Sequence, residues 1–528
     1  MTGRCNRDRL RQTFSFAATA SLCAFIVLSA AVVLRADSRQ SLQKAAALVQ
    51  EGRLEEADQQ ARLALSDPQT RAVACSILGT IRVQQKRLPE SVKLFQEAIR
   101  LDPHLLGAQL SLAEVYTAQG QSGLAVGLYR RILTLDPSNA SARLVLARLE
   151  SEEGNYRKSL ELAQPVLPVL KQSPEGLVML ATDYLKTGNR EATADLAKDW
   201  ARLADPPPAW SIKFAVLLAR EGIVQPAIEI MERVQQTSPP SFELAFNLGG
   251  AYLLKNDPVK ALESYDQALS LRPTSVPALQ QAAEIAERQN ELERSLSYWM
   301  RARKVEPNNA AILLGFGRVC LKMDLLDDAE PALTQAVSLR PEDPAYRYML
   351  AAAKVGKRQF EAAQTLIEGL VKEKPEDSQL QYALGSVLYL EGHLAEAAVH
   401  LRESVRLLPD QLAPYYYLAL VARDQGNDAE AIGMLQDLLR RYPDHALSCE
   451  ALGSLLMSAQ RYPEAESSLE KAVLLNPKSV KANYQLGLLL TRMGKKTEAD
   501  KQLEIAKSLR QEDEANSRLQ LRLLDPDQ

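Results

Sequence analysis

The sequence predicts an all-α solenoid, and three observations carry that prediction. Prolines recur every 34 residues at Pro273, Pro307, Pro341, Pro375, Pro409, Pro443 and Pro477, with Pro103, Pro137 and Pro239 on the same grid. A fixed period of roughly 20–50 residues marks a stack of small supersecondary units. With position 1 set at Ser38, steps of 34 reach residue 513 without slipping, and position 8 is Gly or Ala in all 14 units. Ala, Leu, Glu, Gln and Arg dominate the composition, while Phe, Trp and Tyr together reach 5%. Those are good helix formers, and the residues that strands prefer are sparse. At 528 residues the chain is too long for one ordinary core, a difficulty that an array removes.

The clearest unit is 242–275. Leu244, Leu248 and Tyr252 recur at helical spacing, then Lys255-Asn256-Asp257 breaks the pattern. A second helix is expected from Pro258 to Leu271, with Ala261, Leu262, Tyr265 and Leu269 inward and Ala268 at position 27. Pro258 suits a first helical turn, where its missing N–H costs nothing. Pro273 ends the helix because it cannot continue the hydrogen-bond ladder.

The small residues have a steric task. Position 8 (Gly249, Gly317, Gly385, Gly453, Gly487) and position 20 (Ala261, Ala329, Ala397, Ala465, Ala499) belong to the two helices of one unit. Small side chains at the crossing let those helices approach, and larger ones would overpack it at about 1–3 kcal/mol. Position 15 is Gly in eight units, where a left-handed residue would close the first helix.

This pattern resembles the tetratricopeptide-repeat family over residues 38–513. The resemblance rests on Gly or Ala at position 8, a large apolar residue or Tyr at 11, Ala at 20, an aromatic or Leu at 24, Ala at 27 and Pro at 32. It implies antiparallel helix pairs stacked into a right-handed superhelix, with the first helices lining a concave groove for peptides or partner helices. Departures cluster near 160–210. Pro165 falls inside a second helix, Pro168 and Pro174 follow, Trp200 replaces the usual Ala, and Asp205-Pro206-Pro207-Pro208 replaces a single Pro. Short or kinked helices are expected there.

Residues 1–37 read as a membrane anchor or signal segment, and 514–528 as a polar C-terminal tail or capping segment. Arg4, Arg7, Arg9 and Arg11 precede the uncharged run from Gln12 to Leu34. As a helix, Phe14–Leu34 would be about 31 Å long, enough to cross a bilayer core. A retained anchor is therefore expected through residues 14–34. Ser29-Ala30-Ala31 behind Leu22–Leu28 leaves a cleaved signal as the alternative. The leading arginines favour the cytoplasmic side, which places the repeats outside the cytoplasm, in the periplasm if the source is bacterial.

The 63 basic and 66 acidic residues are interspersed, for a net charge of −3. A nucleic-acid partner, which wants a basic stripe, is not expected. The sequence holds no phosphate-cradling GxxxxGK and no HExxH, so no enzyme, cofactor, metal or small-molecule substrate is expected. Cys5, Cys23, Cys75, Cys320 and Cys449 form no CxxC, and they read as small hydrophobes. His393 and His400 are seven apart, but the first falls in an inter-helix turn.

Function is therefore expected to be protein binding by a scaffold that helps to assemble an envelope complex. The alternatives are a soluble regulatory or chaperone-like adaptor and an accessory subunit of a glycosyltransferase or polysaccharide-export system. By family resemblance, positions 2, 5, 9 and 12 of the first helix line the groove. Position 5 is Tyr348, Tyr382, Tyr416 and Tyr484 in four of the last five units, with Glu450 between. Tyr offers a rigid apolar face and a hydroxyl at low entropy cost. Arg318 and Arg423 supply charge nearby. The competing reading is that each ring packs on its neighbouring repeat.

Overall fold

The computed structural model describes residues 36–513, with side chains from 38 to 510. The expected helix over 14–34 and the tail over 514–528 lie outside the described residues. Among the described residues there is no strand, and no helix is long and apolar enough to cross a membrane. The chain forms two compact units, divided between Asp257 and Pro258.

The first unit runs as helix pairs: Ala36–Gln50 with Leu54–Leu63, Arg71–Gln84 with Leu88–Leu101, Leu106–Ala118 with Ser122–Leu135, and onward to Phe242–Leu254. The second opens with Pro258–Leu271 and continues through Val276–Arg288, Leu292–Val305, Ala310–Lys322, Leu326–Leu339, Pro344–Gly356 and Phe360–Glu373. It closes with Ser378–Glu391, Leu394–Leu407, Leu412–Asp424, Asp428–Arg441, Ala446–Ser458, Tyr462–Leu475, Val480–Arg492 and Lys496–Asp513. Inside each unit the two helices of a repeat pack on each other, and first helices such as Ser378–Glu391 and Leu412–Asp424 also touch.

Local chemistry sets the helix ends. Position 34 caps the following first helix from Asn139, Ser173, Ser241, Asn309, Asp343, Asp377 and Ser479, each accepting a backbone N–H with its side-chain oxygen. Such a cap satisfies a donor that the helix leaves orphaned. At the other end, Arg53 N–H donates to Leu48 O at 2.9 Å and His393 N–H to Leu388 O at 2.9 Å, the closure made when the intervening residue turns left-handed.

Position 15 is that residue. Its eight glycines all have positive φ, and so do Lys86, Asn256, Asn290, Asp324, Arg358 and Gln460 in the other units. A non-glycine residue there crowds its own Cβ against the backbone, a strain of about 1–2 kcal/mol. Lys86→Gly and Arg358→Gly are each expected to raise stability by about 0.5–1 kcal/mol, part of the relief being lost to the freer unfolded chain. Gly392→Ala should do the reverse. Urea midpoints at constant m-value check both directions.

The close approach at position 8 is present, and its main contact is a large side chain. A Cβ added at Gly79 would lie 2.7 Å from the Phe95 ring, and one at Gly385 would lie 2.7 Å from Leu401 Cγ and 3.1 Å from Ala397 O. Gly317, Gly453 and Gly487 meet Leu333, Leu469 and Leu503 in the same way. Position 24 thus fills the space that position 8 leaves, while the position-20 backbone sits beside it. Gly249 is buried, as are Ala261, Ala268, Ala329, Ala397, Ala465 and Ala499.

The departures near 160–210 do shorten a helix. The second helix of the fourth repeat stops at Ala163, passes through a 3₁₀ turn at Gln164–Val166 and ends in Leu167–Leu170. Trp200, which reads as a misfit in sequence, is buried and stacks on Phe214 with ring centroids 4.3 Å apart.

Candidate partner-binding face

The position-5 residues lie on first helices that touch in pairs: Ala310–Lys322 with Pro344–Gly356, Ser378–Glu391 with Leu412–Asp424, and Ala446–Ser458 with Val480–Arg492. How far each ring is covered depends on the repeat that follows it. Tyr348 is half-buried, and its hydroxyl accepts from Gln379 Nε2 at 3.3 Å. Burial pushes this phenol up to about 12. Tyr382 is only 1% exposed and meets Tyr417 edge-on at 5.8 Å. Tyr416 is half-buried, edge-on to Tyr417 at 5.7 Å and to His445 at 5.4 Å. Tyr484, in the last repeat on the grid, is 51% exposed.

Tyr417 is the centre of the cluster, because Tyr389 also meets it edge-on at 5.6 Å. The Tyr389 hydroxyl donates to Asp424 Oδ2 at 2.7 Å and accepts from Arg423 Nη2 at 3.1 Å. Arg423 Nε donates to Asp424 Oδ1 at 2.7 Å. Burial would raise the Asp424 carboxyl, but the Arg423 and Tyr389 hydrogen bonds outweigh it and hold it low.

The other charged candidates are also engaged. Glu450 is buried, accepting from Ser479 Oγ at 2.9 Å and facing Lys481 Nζ at 2.8 Å. Arg318 donates to buried Glu287 through Nε at 2.9 Å and Nη2 at 2.7 Å, with Lys322 Nζ at 3.0 Å. Burial would raise Glu287, and these cations outweigh it and hold the carboxyl low. The stripe thus divides into a packed core at Tyr382, half-covered rings at Tyr348, Tyr389 and Tyr416, and an open ring at Tyr484.

Sequence reasoning missed Tyr389, Tyr417 and His445. Tyr389 stands at position 12, one of the groove positions, so its signal was present. Tyr417 at position 6 and His445 in a loop carry none. Cys75, Cys320 and Cys449 are buried, and burial pushes the Cys320 thiol up to about 12. His393 precedes helix Leu394–Leu407, and half-buried His400 contacts Gln381 Oε1 at 2.8 Å. Among the described residues no group of His, Cys, Asp and Glu is arranged to hold a metal ion.

Family models, each described as a tetratricopeptide repeat, match residues 106–149, 242–275, 281–346, 325–387, 415–445 and 450–509, together just over half of the chain. The chain carries tetratricopeptide repeats. A tetratricopeptide-repeat fold is typically that of a non-enzymatic scaffold for protein–protein contact. No curated protein matches the chain. Among solved structures this tetratricopeptide-repeat chain is similar to the APC/C hetero-tetramer Cut9–Hcn1, at 13% identity over 83% of this chain and 94% of that one, with a TM-score of 0.39. It is also similar to Naa15/Naa10 bound to HypK-THB, at 12% identity over 93% and 95%, with a TM-score of 0.36. A third is YrrB, a TPR protein with an unusual peptide-binding site, at 17% identity over 38% and 99%, with a TM-score of 0.33.

Proposed function

We propose that this chain is a non-enzymatic scaffold that holds a protein segment against its first helices from residue 344 to residue 492. We further propose that residues 14–34 tether it with the repeats outside the cytoplasm, where it helps to assemble an envelope complex. The observation that carries the binding reading is the graded exposure of the tyrosine face, from packed Tyr382 to open Tyr484. Half-covered rings fixed by neighbouring repeats offer rigid apolar area that loses little entropy on binding. Arg318, Arg423 and Glu450 are already paired, so the segment is held mainly by apolar and aromatic contact, with weak salt dependence. The tether rests on the uncharged run from Gln12 to Leu34.

Affinity capture tests the binding reading. Tyr416→Ala and Tyr484→Ala are expected to weaken capture by about 30-fold each, the size of a hot-spot aromatic, with helicity unchanged by circular dichroism. Undiminished capture by the double variant contradicts the face. Fractionation tests the tether separately: full-length protein in the cytosolic supernatant contradicts it.

A further inference from the structure

We propose that Asp183 makes the junction between the fourth and fifth repeats a proton-dependent clasp, closed when the carboxyl is neutral and loosened when it ionises. Asp183 lies on helix Pro174–Lys186 and is 0% exposed. Ser151 Oγ, from helix Ala140–Glu152, donates to Oδ1 at 2.5 Å. Ser159 Oγ, from helix Tyr156–Ala163, donates to Oδ2 at 2.6 Å. One carboxyl therefore joins three helices across two repeats.

No cation comes with it. Among the described residues, none of the charged groups on the elements packed around Asp183 forms an ion pair with it. On the fourth repeat, Lys158 faces Glu150 at 3.1 Å, as does Arg130 of the third repeat at 2.7 Å. On the fifth, Asp199 faces Arg202 and, from the fourth repeat, Lys171 at 2.9 Å each, and Lys198 faces Asp195 at 2.7 Å. Arg190 reaches toward Gly222, and Lys213 of the sixth repeat lies over the Trp210 ring at 4.9 Å. Two hydroxyl donors are weak compensation for a charge removed from water, whereas the neutral carboxyl keeps both contacts by accepting from one serine and donating its proton to the other.

The helix that supplies Ser159 is also the shortened one, with eight residues before its break. Beyond the break, the Leu170 carbonyl comes so close to helix Pro174–Lys186 that a Cβ on Gly176 would lie 2.2 Å from it. In a linear array, stability is a sum of unit and neighbour contributions. A short helix held by a buried carboxyl is a place where local opening is cheap.

The direction follows from linkage. Burial raises the Asp183 carboxyl, and the two serine bonds offset this only in part. Above the unfolded-state value of about 3.9 and below the folded-state value, the folded junction binds more protons than the open one. Its stability therefore falls as pH rises through that window, and the penalty is complete above it. Glu150 has the opposite sign. Burial acts upward on it too, but Arg130, Lys158 and Asn155 hold it low, so its contribution is lost as pH falls.

Amide exchange on the full chain, corrected for intrinsic rates, reads the clasp at pH 5 and pH 8 in helices Tyr156–Ala163 and Pro174–Lys186. The opening constant of the unsubstituted protein is expected to rise between those pH values, relative to Asp183→Asn. The amide keeps the shape, accepts from one serine and donates to the other. An equal pH dependence in both proteins overturns the proposal, and so does an Asn variant that opens more readily at pH 8. If Asp183→Asn does not fold, Ser159→Ala gives an independent reading. Removing a donor to the carboxylate must move the transition to higher pH, and an unmoved or lowered midpoint overturns the clasp.

Discussion

Tyr382→Ala is expected to destabilise the second compact unit by about 3–5 kcal/mol, while Tyr484→Ala changes stability by no more than about 0.5 kcal/mol. The two tyrosines stand at the same repeat position and differ in what covers them. Tyr382 is buried between its own helix and the next first helix, where Tyr417 meets its ring edge-on. Truncation there removes a large apolar side chain and leaves a cavity that neighbouring repeats cannot close without moving. It also removes one of the three rings around Tyr417. Tyr484 has half of its surface in water already, so truncation removes little burial. Because solenoids can unfold in parts, amide-exchange protection of helix Ser378–Glu391 is a better measure than a single melting midpoint. Equal losses from both variants would show that the following repeat does not set the role of the ring.

The second large effect is a pair of glycine substitutions with opposite signs. Gly315→Ala is expected to destabilise the protein by about 1–3 kcal/mol, and Gly369→Ala to stabilise it by about 0.5–1 kcal/mol. Both glycines lie inside helices, so alanine improves helix propensity at each. At Gly315 a Cβ would lie 2.3 Å from Trp299 Cζ2 and 2.5 Å from Cη2. Trp299 is buried, so its rigid ring cannot step aside without disturbing the preceding repeat. At Gly369 the position of a Cβ is open. Denaturant midpoints for the two variants decide the matter, and a shift of the same sign in both would refute the steric account.

Much of the architecture is legible from residue spacing, because a 34-residue repeat writes its steric rules 14 times. Proline spacing and the small residue at position 8 place the helix pairs. What spacing does not show is what each repeat does with its neighbour. Gly315 lies off the position-8 grid, yet it makes room for a Trp of the preceding repeat. Lys86, Arg358 and Gln460 hold the left-handed turn without a glycine to announce it. Trp200 breaks the pattern within its own helix and is accommodated by Phe214 of the next repeat. The tyrosine stripe is legible as a row of residues, but its exposure is not, since that depends on rings and caps at positions without a sequence rule.

Site-specific photo-cross-linking tests the proposed scaffold most directly. A photoreactive residue is placed at Tyr484, on the first-helix face, and in a second protein at Val399, which is 62% exposed on second helix Leu394–Leu407. Both sites are open to solvent, so reagent access does not distinguish them. The account predicts that Tyr484 links to a discrete partner protein and that Val399 does not. Cross-linking from Val399 alone, or from neither site while the intact chain still captures its partner, would contradict it.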